Sequence, residues 1–228
     1  MMNQHLLAII VPTLNEATHI AGTLKALRAL KLDATIVVVD GGSDDDTCQV
    51  AHGLADVIIQ TQPGRAHQMN AGAFSVDRSV RYLIFLHADT RLTHAAAKQL
   101  ESAFMDETVW GRFDVQITGT SWMLGVIARL MNWRSRLTGM ATGDQAIFVR
   151  RDVFESIGGF VNQPLMEDIE LSKRLLQIAR PVCLKGPAIT SGRRWESRGV
   201  WRTIFLMWRL RYHYWRGASP DDLARQYR

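Results

Sequence analysis

The sequence predicts an α/β fold, a mostly parallel sheet with helices on both faces. Three observations predict it. Short apolar runs recur at 6–11, 34–39 and 82–86, the composition of strands buried on both sides, and 57–60 reads as a further short strand. Segments with one apolar face at helical spacing separate them. Strand and helix alternate in order through the first half of the chain, which implies parallel strands joined by crossover helices.

Each element has its local reason. The run at 6–11 is ended by Pro12, and 13–16 read as a turn. Ile20, Leu24, Leu27 and Leu30 share one side of a helix over 18–30. The strand at 34–39 stops at Asp40-Gly41-Gly42-Ser43, and a helix follows over 47–54. After the strand at 57–60, residues 64–70 read as a loop that opens a helix running to about Val76. The strand at 82–86 halts at His87-Ala88-Asp89, ahead of a helix over 95–104. The second half is less regular, with strands expected at 110–117 and 146–149 and helices at 121–137 and 167–178. Residues 200–215 form an aromatic, basic helical segment, and no linker marks a domain boundary.

Composition narrows the function classes. With 228 residues, 47% hydrophobic and 21% charged, the chain suits one folded domain and excludes wholesale disorder. The net charge of +5 invites a phosphate-bearing ligand, an anionic membrane surface or nucleic acid. The excess is carried by the tail: from Arg193 onward nine arginines meet only Glu196, Asp221 and Asp222. Cys48 and Cys183 lack His or Cys neighbours at metal spacing and read as reduced thiols of a cytosolic protein. Met1–Gln4 carry no basic leader region, so no signal peptide is expected. No apolar stretch approaches the roughly 20 residues that span a bilayer.

Ligands of parallel sheets sit beyond the carboxyl ends of the strands. Three such ends carry acids here, at Glu16, Asp40 and Asp89. Asp40 can accept hydrogen bonds from a base or a ribose hydroxyl, whereas Asp44–Asp46 read as acidic capping of the next helix. A hard divalent cation suits carboxylate oxygens such as those of Asp89. Arg65 can fork onto a phosphate. Glu167-Asp168 place two carboxylates at a helix start, where they either cap or supply a general base.

Taken in order, these motifs resemble family 2 of the nucleotide-sugar glycosyltransferases, which use the GT-A fold. The resemblance rests on Val11-Pro12-Thr13-Leu14-Asn15-Glu16, Val39-Asp40-Gly41-Gly42-Ser43, Gly64-Arg65, Asn70-Ala71-Gly72, His87-Ala88-Asp89-Thr90, Gly143-Asp144-Gln145, Gly158-Gly159-Phe160, Glu167-Asp168 and Arg193-Arg194-Trp195. It is nearest to a small bacterial subgroup found beside radical-SAM and selenium-related genes. It implies an inverting, metal-dependent transfer of sugar from a nucleotide diphosphate donor, commonly of uridine, to a hydroxyl acceptor that includes lipid-like candidates.

Position by position, it implies that Pro12, Thr13 and Glu16 border the nucleoside and that Asp40 meets the base. Arg65 lies near base and diphosphate, with Asn70 and His87 on the same substrate-binding side. Asp89 holds a divalent cation, Mn²⁺ or Mg²⁺, and Asp168 is the catalytic base beside Glu167. Asp144 and Gln145 face donor sugar or acceptor, and Arg194 and Trp195 border acceptor or diphosphate. His87 departs from the family pattern, standing where the first Asp of Asp-x-Asp is usual. An imidazole suits manganese better than magnesium. The single domain 1–228 then divides into a nucleotide half (1–118), an acceptor and catalytic half (119–195) and the basic aromatic segment (196–228). A cytoplasmic protein, peripheral on the inner membrane face, fits this tail. A helix packed on the domain with its arginines turned to water fits it too, and nucleic acid is the least favoured partner. A nucleotidyltransferase and a non-catalytic sugar-nucleotide binder are the competing classes. The first would carry a Gly-rich basic loop where Pro12–Glu16 stand.

Overall fold

The structure is a computed structural model that describes residues 6–227; Met1–Gln4, read above for the absence of a leader, lie outside the described residues. Its first half runs Leu7–Thr13 (β1), Ala17–Ala29 (α1), Ala34–Asp40 (β2), Thr47–Ala51 (α2), Val57–Gln60 (β3), Arg65–Ser75 (α3), Tyr82–Phe85 (β4), Thr90–Leu92 (β5) and His94–Met105 (α4). The second half runs Trp110–Thr118 (β6), Met123–Thr138 (α5), Ile147–Arg150 (β7), Arg151–Ser156 (α6), Glu167–Leu175 (α7), Val182–Ser191 (β8), Arg193–Arg198 (α8), Val200–Trp215 (α9) and Pro220–Tyr227 (α10).

One sheet takes the order β3-β2-β1-β4-β7-β6-β8-β5. Strands β3, β2, β1 and β4 are parallel; β7 lies antiparallel to both β4 and β6. All of β1 is buried, as a central strand covered on both faces must be. Its side chains alternate between two cores. Leu7, Ile9 and Val11 pack with Ile20 and Leu24 of α1 and Leu100 of α4. Ala8 and Ile10 pack with Met69 of α3 and Leu171 of α7. Each large side chain so buried contributes about 1.5–3 kcal/mol. Gly72 lets α3 lie close on the sheet, because a Cβ there would stand 2.6 Å from Ile10 and 2.8 Å from Val39.

Several elements depart from the sequence expectation. Pro12 does not end β1, which continues to Thr13. Pairing with β4 stops at Ile10, so the N–H that proline lacks falls where no neighbour on that side calls for it. Residues 65–70 are helical instead of a loop, with only Gly64 (φ 144°) outside. Strand β8 was obscured by Lys185-Gly186-Pro187. The pairing with β6 slips there, Phe113 facing Leu184 and Asp114 facing Pro187, and such a bulge accommodates a proline.

The tail packs and also protrudes. Leu210 of α9 and Leu223 of α10 are buried against Leu165 and Met166, immediately before Glu167-Asp168. Tyr214 donates a 3.2 Å hydrogen bond to Glu170 of α7. Packing therefore accounts for the inner side of α9, while five of its aromatic residues remain exposed.

Candidate active site

Because β1, β2 and β4 run parallel, their carboxyl ends share one rim. At the tip of β2, Asp40 is fully buried. One carboxylate oxygen accepts from the backbone N–H of Gly42 (3.0 Å) and Ser43 (2.8 Å). The other accepts from the hydroxyls of Ser43 (2.5 Å) and Thr13 (3.3 Å). Desolvation pushes its pKa up, but these donors outweigh it and hold Asp40 below the ordinary carboxylate range. Gly42 sits at φ 86°, a backbone conformation that favours glycine. The side-chain amide of Gln68 donates to the carbonyls of Thr13 (2.7 Å) and Val39 (2.8 Å), tying the two strand ends together.

Glu16 links this rim to the next strand end and to the tail. Its carboxylate lies 3.5 Å from Arg193 and 3.4 Å from His19. Burial raises its pKa most; Arg193 opposes that, and repulsion from Asp89 adds to it. Asp89 itself receives one long hydrogen bond, 3.4 Å from Thr90. Two carboxylates that repel each other thus follow the ends of β1 and β4.

The acid pair at the start of α7 completes the site. Asp168 accepts from the backbone N–H of Gly143 (2.9 Å) and of Ile169 (2.7 Å). Gly143 begins a 3-10 turn, Gly143–Gln145, whose Asp144 lies 3.4 Å from His87 Nδ1. A Cβ on Gly143 would stand 2.4 Å from His87 Nε2, so glycine is what lets the turn lie against the imidazole. Desolvation lifts Asp168 above the ordinary range; its two backbone donors and Arg65 oppose this, and Asp144 reinforces it. Glu167 is likewise raised, by burial and then by Asp168, with Arg65 again opposing. Desolvation acts upward on Asp144 too, yet His87, Arg65 and Arg194 pull it below the ordinary range. Contacts thus join His87, Asp144 and Asp168 through the Gly143 turn, while Asp40, Glu16 and Asp89 follow the carboxyl ends of β2, β1 and β4.

Residues 8–158 match the family described as Glycosyl transferase family 2. The chain belongs to that family. A PGL/p-HBAD biosynthesis glycosyltransferase of Mycobacterium bovis is 30% identical over 167 residues, covering 67% of this family 2 chain and 62% of the relative. The chain thus spans about six-tenths of the length of these curated relatives. Two solved structures share the fold. A mannosyltransferase from Pyrobaculum calidifontis, in complex with GDP-Man and Mn²⁺, has a TM-score of 0.66 at 20% identity and covers 91% of this chain and 60% of its own. Glucosyl-3-phosphoglycerate synthase from Mycobacterium tuberculosis, in complex with Mn²⁺, UDP and glucosyl-3-phosphoglycerate, has a TM-score of 0.53 at 14% identity, with 81% and 69% covered. The GT-A fold and the family expected from the motifs are both found.

Within this family 2 member the expected residues separate into groups. His87, Asp144, Glu167 and Asp168 converge, with Arg65 and Arg194 in their field. Pro12 and Thr13 are strand residues at the rim. Three of the expected residues make structural contacts. Asn70 spends its amide on Phe160, donating 2.8 Å to its carbonyl and accepting 2.9 Å from its N–H, so it clamps a loop. Gln145 is fully buried and closes a capping box with Thr142. Trp195 packs against the apolar cluster of Val115, Ile117 and Leu124. Tyr227 of α10 and Arg134 of α5 escaped sequence reasoning. The Arg194 guanidinium stacks 3.8 Å over the Tyr227 ring, and Asp168 is the charge that most supports Arg134, whose Nε and Nη2 are buried with no hydrogen-bond partner among the described residues. Neither stands in a motif, and only folding brings them here.

Proposed function

We propose that this chain transfers a sugar from a nucleotide diphosphate donor, a UDP-sugar for preference, to a hydroxyl acceptor with inversion at the anomeric carbon. The observation that carries this reading is the Asp168 carboxylate, oriented by Gly143 and Ile169 and raised by burial beside Arg65. A base with an elevated pKa takes a proton from an incoming hydroxyl more readily, worth typically ~10²–10⁴-fold in rate. The backbone donors fix its direction. Arg65 and Arg194 face the charge that builds on the departing diphosphate. Asp144, held by His87, lies toward the sugar.

A divalent cation, Mn²⁺ or Mg²⁺, suits Asp89 and Glu16, since a positive ion relieves the repulsion between them. Among the described residues no three His, Cys, Asp or Glu side chains are grouped closely enough to hold an ion. Asp89 would hold it, with His87 nearby, and donor phosphate oxygens would complete the set; the ion would neutralise leaving-group charge. The GDP-Man, UDP and Mn²⁺ named for the two structural neighbours support this class of donor.

Thermal shifts with UDP, GDP and ADP, each with Mn²⁺ or Mg²⁺, test the donor. Stabilisation by one diphosphate that depends on the cation, followed by slow release of UDP from a UDP-sugar, is expected. Stabilisation with no release of the diphosphate under any condition would favour a non-catalytic binder.

A further inference from the structure

Two helices of this chain leave an apolar face uncovered. On α5, Trp122, Val126, Leu130, Trp133 and Leu137 are exposed, at steps of four, four, three and four that place them on one side. The opposite side, Leu124, Ile127 and Ala128, is buried. On α9, Trp201, Phe205, Trp208, Tyr212 and Trp215 are exposed at alternating steps of four and three, four of them by more than 60%. The helices are neighbours, since Val200 and Ile204 of α9 pack against the cluster that buries the inner side of α5. Ten large apolar side chains on adjoining helices exceed what a monomer ordinarily leaves to water.

Charge identifies the occupant. Neither helix contains an Asp or Glu, and their exposed arginines include Arg129, Arg202 and Arg209, whereas Arg134 turns toward Asp168 and Arg136 pairs with Asp114. Beside the α9 stripe, Arg202, Arg209 and Phe205 border a hollow of about 620 Å³, room for an anionic headgroup. Self-association through this face would set arginines against arginines. Anionic headgroups complement the arginines, and tryptophans settle at the boundary between acyl chains and water. No helix among the described residues is long and apolar enough to cross a membrane, so the geometry is that of a protein lying on a surface.

We propose that α5 and α9 form the face by which this chain seats on an anionic phospholipid bilayer. The inner side of α9 touches Leu165 and Met166, next to Glu167-Asp168, so the helix whose outer side forms the seat packs with its inner side beside the acid pair. Under the transfer reaction proposed above, an acceptor hydroxyl would then be met at the bilayer surface; the seat itself does not depend on that reaction.

Co-sedimentation of the full chain with vesicles tests it. The vesicles are phosphatidylcholine alone, or phosphatidylcholine with about one-third phosphatidylglycerol, at low and high salt. Binding to the anionic vesicles, weakened by salt, is expected. The exposed double substitutions Phe205→Ser with Trp208→Ser, and Trp122→Ser with Trp133→Ser, should each lower partitioning roughly tenfold with unchanged circular dichroism. Arg202→Gln should cost about fivefold at low salt and little at high salt. Met105→Ser, exposed on α4, should change nothing. Wild-type protein that stays in the supernatant with both vesicles would overturn the proposal. So would a dimer in lipid-free buffer that Phe205→Ser with Trp208→Ser dissolves, or single-stranded oligonucleotide binding with no vesicle binding. None of these readouts involves sugar transfer.

Discussion

The backbone N–H of Gly143 donates a 2.9 Å hydrogen bond to the Asp168 carboxylate. It ties the turn that carries Asp144 to the helix that carries the acid pair. The same glycine lies against His87, whose imidazole faces Asp144. One residue without a side chain therefore sets the spacing of His87, Asp144 and Asp168.

Gly143→Ala tests that spacing. Its Cβ would fall 2.4 Å from His87 Nε2, so imidazole or turn must move. Overpacking of this kind costs about 1–3 kcal/mol. Transfer should fall much further than stability, because Asp144 and Asp168 shift together. Chemical denaturation beside initial rates separates the two effects.

Asn70→Ala tests whether that residue acts through the loop it clamps. Losing both hydrogen bonds to Phe160 should destabilise the protein by about 1–3 kcal/mol. Diphosphate affinity, measured by calorimetry, should be unchanged. Weakened binding at unaltered stability would return Asn70 to the ligand.

Asp40 and the acid pair respond to pH in opposite directions. Folding lowers the pKa of Asp40, so the folded state takes up its proton less readily than the unfolded chain. That stabilisation is present above the unfolded pKa of about 3.9 and is lost as pH falls through the lower folded value. Folding raises Asp168 and Glu167, so above the unfolded range the pair opposes folding until their charge is removed. In urea titrations Asp40→Asn should be less stable than wild type at pH 7, and the gap should narrow below about pH 4.

Asp89→Ala should abolish the part of donor binding that responds to Mn²⁺. The charge of Asp89, which raises the pKa of Glu16, is what a cation would neutralise. Its removal relieves the repulsion without an ion. Titration of UDP with and without Mn²⁺ reads this directly; a full metal effect in the variant would place the ion elsewhere.

Much of the fold was legible because β1, β2 and β4 are buried runs with unambiguous composition, each ended by a turn. The rim acids could be read because parallel strands direct their ends to one edge. The structural contacts of Asn70 and Gln145 could not be read. A motif shows which residue type stands at a position, but its hydrogen bonds here run to Phe160, 90 residues on, or into a local cap. Strand β8 was hidden by a proline that only its bulge explains. Tyr227 and Arg134 reach the site through the packing of α10 and α5, and no local pattern records that packing.

Asp168→Asn tests the central claim most directly. The amide keeps an acceptor for Gly143 and removes a buried charge. UDP binding should persist, the melting temperature should rise at neutral pH, and transfer should fall by about 10²–10⁴-fold. A variant that transfers sugar at near wild-type rate would contradict the assignment of Asp168 as the base.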